Sequence, residues 1–153
     1  MDPEARLREL GYRLPAVPEP GGAYVPATRA GTLIFTAGQL PFERSELNAT
    51  GKVGDAVSLE EAKGAARLCA LNALAAAAAE AGSLNRIARV VKVTGYVASA
   101  PRFNRQPEVI NGASELIVQV FGAAGLHARS AIGVAELPLD APVEVELVVE
   151  LVR

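Results

Sequence analysis

The most regular hydrophobic pattern lies at the end of the chain, where Val143, Val145, Leu147, Val149 and Leu151 alternate with Glu144, Glu146, Val148 and Glu150. A period of two puts the first set on the core face of a strand and the second on the opposite face. Residues 87–98 (IARVVKVTGYVA) are rich in β-branched side chains and predict a central strand, with Val91, Val93 and Val97 facing away from Lys92, Thr94 and Tyr96. Further on, Ile132 and Val134 oppose Arg129, Ala131, Gly133 and Ala135 in the same way. Near the start, Tyr24 to Ala37 reads as a hairpin about Ala30-Gly31, with Leu33, Ile34 and Phe35 in its second strand.

Between the strands the period lengthens. Ser58 with Glu61 forms a capping box, and Leu59 to Ala81 predicts a long helix that Gly82 ends. Val109, Leu116 and Val120 place a second helix over Gln106 to Phe121, closed by Gly122 and Gly125. A short amphipathic helix is predicted from Pro3 to Tyr12, with Asp2 as its N-cap, Pro3 in the first turn, and Leu7 and Leu10 on one side. Leu14 to Gly22 holds three prolines and two glycines and is expected to be an extended connector. Gln39 to Gly54 fits no period and is expected to be a loop. The resulting fold class is α+β over 23–153, in the order ββαβαββ: one sheet with two long helices on one face, preceded by a helix and connector over 1–22. The uncovered face of the sheet mixes acids with valine and calls for a partner.

Composition narrows the function. The 153 residues are 50% hydrophobic but only 5% aromatic, so the core must be built of Ala, Val, Leu and Ile. A net charge of −2 supplies no basic field for phosphate backbones or anionic lipid, which argues against nucleic acid as a partner. The stretch Leu68 to Ala79 is too weakly apolar for a bilayer, and the charged MDPEARLREL lacks the apolar run of a secretory signal. With Cys69 as its single cysteine the chain has no internal disulfide, and a cytoplasmic location is expected.

Familiar chemistry is scarce. His127 is the only histidine, so clusters of histidine or thiolate around a metal are excluded, and no G-x-S-x-G elbow accompanies it for a Ser-His-Asp triad. Cys69 lies among Leu68, Leu71 and Leu74 and reads as a small buried hydrophobe. The glycines make no phosphate loop, and no cofactor is implied.

What remains is specific. His127 to Pro138 (HARSAIGVAELP) is followed after a short turn by Val143-Glu144-Val145-Glu146, and upstream stand Tyr24 and Gly38-Gln39-Leu40-Pro41. This A-R-S-x-[VI]-x-V-x-x-L-P strand with its [VI]-E-[VI]-E partner resembles the C-terminal signature of the RidA/YjgF family, the endoribonuclease L-PSP-like proteins. The likeness runs from about Tyr24 to Val152. It implies a chorismate-mutase-like fold, a homotrimer with clefts between subunits, and hydrolysis of 2-imino or 2-enamino acids to 2-oxo acids and ammonia.

On that resemblance Arg129 grips the substrate carboxylate, a task suited to a planar guanidinium that stays charged, and Glu144 holds the attacking water. Tyr24 lines the cleft, Ala131 stands beside the arginine, and Asn111 matches the family's asparagine if one residue is inserted between helix and strand. The competing readings are a surface ion pair for Arg129, a solvated carboxylate for Glu144 and helix packing for Asn111. If the last two strands pair across a turn at Leu139-Asp140, Glu144 lies opposite about Ala135, roughly 20 Å along from Arg129 at about 3.3 Å per residue. A site using both would then need two subunits.

The chain departs from the family at Ala131, where a cysteine is frequent, at Ala37, where a serine precedes Gly-Gln, and at Gly133, where many deaminases carry glutamate. Phe103 to Pro107 and Asn111 to Ser114 are also distinctive. These point to a divergent subgroup. A trimer that binds small carboxylates without catalysis is the main alternative function, while endoribonuclease or translation-inhibitor activity fits poorly with the acidic charge and single histidine. Chorismate mutase chemistry would need several cations about a dianion, and a shared fold does not assign it.

Overall fold

The computed structural model describes residues 2–153. Its main sheet has five strands, in spatial order Ala27–Ala30 (β1), Leu33–Thr36 (β2), Val143–Leu151 (β7), Ile87–Ala98 (β5) and Ala128–Val134 (β6). Strands β1 (Ala27–Ala30) and β2 (Leu33–Thr36) form the expected hairpin, turning at Gly31, whose φ of 63° favours glycine. Helix α2 (Leu59–Ala81) then carries the chain to β5 (Ile87–Ala98), and α3 (Gln106–Phe121) carries it to β6 (Ala128–Val134), which runs parallel to β5. The last strand, β7 (Val143–Leu151), pairs antiparallel with both β2 and β5.

This order corrects the pairing expected from the sequence. β6 and β7 are not a hairpin, because β5 lies between them. The α2 crossover leaves a gap one strand wide between β2 and β5, and β7 fills it, satisfying the backbone groups of both neighbours. Its core-face residues, Val143 to Leu151 at alternate positions, are all buried.

Both long helices cover the face that carries Val93, Val97, Val145 and Leu147. Ser58 and Glu61 cap α2 reciprocally, and Gly82 ends it in the left-handed region. From Cys69 to Ala78 the helix is buried on every side, which its alanines permit by letting the sheet and the overlying chain approach closely. The helices meet at Gly112, where a Cβ would collide with the backbone carbonyl of Lys63. Gly95 gives the same clearance to Ile110 above the sheet.

Three local expectations change. The N-terminal helix α1 ends at Glu9 rather than Tyr12, since Gly11 turns with φ 85°. It sits on the body: Leu7 is buried, Arg6 donates to the Gln119 carbonyl, and Glu4 accepts from Ser83 Oγ and Leu84 N. Within the expected loop lies a small hairpin, β3 (Phe42–Glu43) and β4 (Glu46–Leu47), whose turn holds Arg44 and Ser45 at φ 53° and 70°. In β5 an irregularity between Val90 and Lys92 moves Val91 off the core face, and Val90 takes its place there.

Candidate active site

The two strongest candidates from the sequence lie on opposite faces of one sheet. Arg129 pairs with Val93, which pairs in turn with Leu147, so the arginine is on the helix-covered face with Ala131 and Gly133. Glu144 pairs with Tyr96 and belongs to the open face with Glu146. Two strand spacings and three residues separate them, about 14 Å between backbones within one chain.

Asn111 and Ser114 are three residues apart on α3, a spacing that puts both on one helix face above β6. Arg129 donates from the same guanidinium nitrogen to Asn111 Oδ1 at 2.7 Å and to Ser114 Oγ at 3.2 Å. Ser114 Oγ also lies 2.9 Å from His127 Nε2, and His127 Nδ1 lies 2.7 Å from the Gly125 carbonyl. A carbonyl can only accept, so Nδ1 carries the hydrogen; in the neutral ring Nε2 then accepts from the serine. The bonds thus run Arg129 to Ser114 to His127 to Gly125, fixing one edge of a guanidinium. Among the described residues Arg129 has no carboxylate partner, which removes the surface ion-pair reading. The serine and histidine do not make a hydrolytic triad, because a carbonyl takes the place of the orienting acid.

Gly133 has a local role of its own. A side chain there would press on the Gln106 amide and Ser99 Oγ, which hydrogen bond to each other at 3.2 Å.

On the open face, a cavity of about 420 Å³ is lined by Tyr24, Gly38, Gln39, Leu139, Glu144 and the connector at Pro18 to Gly21. Gln39 bridges to Val145 through backbone bonds in both directions, which sets the Gly38-Gln39 peptide beside Glu144. A Cβ at position 38 would run into the Glu144 carboxylate. Burial raises the Glu144 carboxyl above the ordinary range, and the charge of Glu146 adds to the shift. Glu146 accepts a 2.5 Å bond from Tyr96 Oη, and that bond is the main reason the phenol is pushed up to about 12. The Tyr24 hydroxyl accepts from Gly21 N, tying the connector to the cavity wall. Tyr24 and Leu139 stay 54% and 67% exposed, an apolar rim with no cover from its own chain.

Sequence reasoning singled out Arg129, Asn111, Ala131, Tyr24 and Glu144 for one cleft; within the chain Asn111 lies with Arg129, Tyr24 lies with Glu144, and Ser114 and His127 are partners of the arginine that it missed. The i, i+3 spacing of Asn111 and Ser114 was the available signal. Cys69 is fully buried beside the Val143 carbonyl, and burial, with the Glu144 charge, pushes its thiol far up. Among the described residues no group of histidine, cysteine or acidic side chains could hold a metal, and no helix is long and apolar enough to cross a membrane.

Comparison with known proteins fits this geometry. Residues 4–151 match the family described as "YjgF/chorismate_mutase-like, putative endoribonuclease". Protein TCP17 of Trypanosoma cruzi is 44% identical over 148 residues, covering 96% of this chain and 92% of that protein. The crystal structure of Atu1372 from Agrobacterium tumefaciens, described as of unknown function, is 48% identical with a TM-score of 0.90, over 98% of this chain and 92% of the other. A structure from Shewanella oneidensis MR-1, given the same endoribonuclease description as the family, is 32% identical with a TM-score of 0.95, over 99% and 100%.

Proposed function

The chain belongs to the YjgF/chorismate-mutase-like family, and from that membership we propose that it hydrolyses reactive 2-imino and 2-enamino acids to 2-oxo acids and ammonia at clefts between subunits of a homotrimer. The observation that carries the reading is the division of the site. One face holds a guanidinium with no acid partner, and the other holds a desolvated carboxylate in a cavity with an uncovered rim. Neither half alone binds and hydrolyses an imino acid. A neighbouring subunit that brings its Arg129 edge to the rim at Tyr24 and Leu139 completes both.

In such a cleft Arg129 takes the substrate carboxylate through the N–H groups that Asn111 and Ser114 leave free. Protonation at nitrogen makes the imine carbon electrophilic. Glu144 takes a proton from water as its oxygen bonds to that carbon, and its raised basicity suits the step. Glu144 then returns that proton to the carbinolamine nitrogen, and the C–N bond breaks as the hydroxyl proton passes to solvent, releasing ammonia and the 2-oxo acid. Ala37 and Ala131 leave the cleft less polar than in relatives with hydroxyl and thiol there, which marks the chain as one of a divergent subgroup.

The test is the loss of 2-iminopropionate or 2-iminobutyrate generated in situ. The protein is expected to accelerate it, and Arg129→Ala to lower kcat/KM by about 100-fold, the loss of a charge-assisted pair of about 3 kcal/mol. Equal rates for the two proteins would remove Arg129 from the mechanism. Saturable binding of 2-oxo acids without turnover would favour a binding trimer, and cleavage of RNA with the imine untouched would favour the activity in the family's description.

A further inference from the structure

Three segments far apart in sequence meet on the outer side of α2: the stretch after α1, the β3-β4 hairpin and the helix itself. They border a half-open cavity of about 770 Å³, within the size range of small-molecule pockets. It does not include Arg129, Glu144 or Tyr24. We infer that this cavity binds a small organic phosphate, its anionic group held by Arg13, Arg44 and Arg67 and its planar group resting on Tyr12 and Phe42.

The first support is charge. In a chain of net charge −2, three arginines line one cavity, and none of them forms an ion pair among the described residues. Elsewhere Arg6, Arg89 and Arg105 each pair with a glutamate and other arginines stand scattered and unpaired among the described residues, so it is the convergence of three on one cavity that marks the place. Glu43 also lines the cavity, leaving an excess of positive charge. Guanidinium groups suit a phosphate because their planar N–H pairs match its oxygens.

The second support is Gly64, which lines the floor one turn before Arg67. Glycine in a helix interior costs about 0.5–1 kcal/mol relative to alanine. Elsewhere on the helix pair glycine has a steric cause, as at Gly112, but nothing lies within 4 Å of a Cβ built on Gly64. Packing does not require this glycine, and its missing side chain leaves the floor open beside Arg67.

The third is backbone conformation. Arg44 and Ser45 hold left-handed φ values of 53° and 70°, the conformation that closing a two-residue hairpin requires, and this sets Arg44 at the tip of β3-β4. Asn72 steadies the hairpin beneath them, donating to the Leu40 and Phe42 carbonyls at 3.0 Å each. Arg44 thus lines the cavity from an exposed turn. Three arginines gathered at one cavity, in a chain of acidic net charge, favour a small ligand over an RNA strand, which would need a basic stripe.

The experiment is calorimetric titration of the full chain with phenyl phosphate, inorganic phosphate and a single-stranded RNA oligonucleotide at equal ionic strength. Phenyl phosphate is expected to bind at one site per chain, at least about tenfold more tightly than inorganic phosphate. Arg67→Gln and Gly64→Leu should each weaken it by about tenfold or more, and Arg44→Gln, on an exposed turn, does the same without touching the helix. Arg129→Ala should leave it unchanged, so that failure here is separable from failure of the deaminase reading. Absence of saturation below about 10 mM, indifference to all three cavity variants, loss of binding in Arg129→Ala, or binding of RNA in place of phenyl phosphate would each overturn the assignment.

Discussion

On the proposed reading, Glu144 is a side chain that serves function at the expense of stability. Its carboxyl is raised by burial and by Glu146, so the folded chain binds that proton more tightly than the unfolded chain does. Stability from this group is therefore greatest in acid and is lost as pH rises through the raised value. Glu144→Gln removes the penalised charge. The variant is expected to lose imine hydrolysis, yet to melt no lower than the parent at neutral pH, with any advantage shrinking as the solution is acidified towards the ordinary glutamate range. Melting curves between about pH 4 and pH 8 read this directly. A variant that melts well below the parent at pH 7 would mean that the carboxylate is a structural partner rather than a strained one.

At the scale of elements, two glycines on the helix pair separate packing from propensity. Gly112 is where α3 meets the Lys63 carbonyl of α2, and a Cβ there has nowhere to go because its neighbour is backbone. Gly112→Ala gains helix propensity but forces the helices apart, and a net loss of about 2–3 kcal/mol in urea unfolding is expected. Gly64→Ala meets open space, so the same change there should stabilise by about 0.5–1 kcal/mol. Equal effects at the two sites would show that the interhelical contact is looser than its geometry. The helices also explain how the site is held. α3 carries Asn111 and Ser114 to the arginine, and β5, between β6 and β7, is the rigid spacer that keeps Arg129 and Glu144 apart.

At the scale of the whole molecule, the placement of these groups on opposite faces makes assembly part of the proposed chemistry. If each cleft takes Arg129 from one subunit and Glu144 from the next, Arg129→Ala and Glu144→Gln are inactive alone but complement each other. In randomly mixed trimers about a quarter of the clefts would hold both native residues. Co-expression of the two variants should therefore restore activity to about that fraction, whereas separate expression restores none. Light scattering on the same samples checks that the particles are trimers, and an active monomer would contradict the arrangement.

Much was legible locally. The capping box at Ser58 and Glu61, the bounds of α2, β5 and α3, and the alternation of Val143 to Leu151 rest on interactions within a few residues, so the sequence determines them alone. The resemblance also singled out Arg129, Asn111, Tyr24 and Glu144, but not which of them share a face of the sheet. Tertiary structure decided the rest. Strands offer the same backbone donors and acceptors to any neighbour, so no local pattern told β7 to enter the slot between β2 and β5 rather than fold back on β6. The irregularity at Val91 follows from matching β5 to β7, and the chain of bonds from Arg129 through Ser114 to His127 exists only once α3 lies over β6. These depend on contacts between distant segments, whose energies are settled by the packing of the whole sheet and its helices.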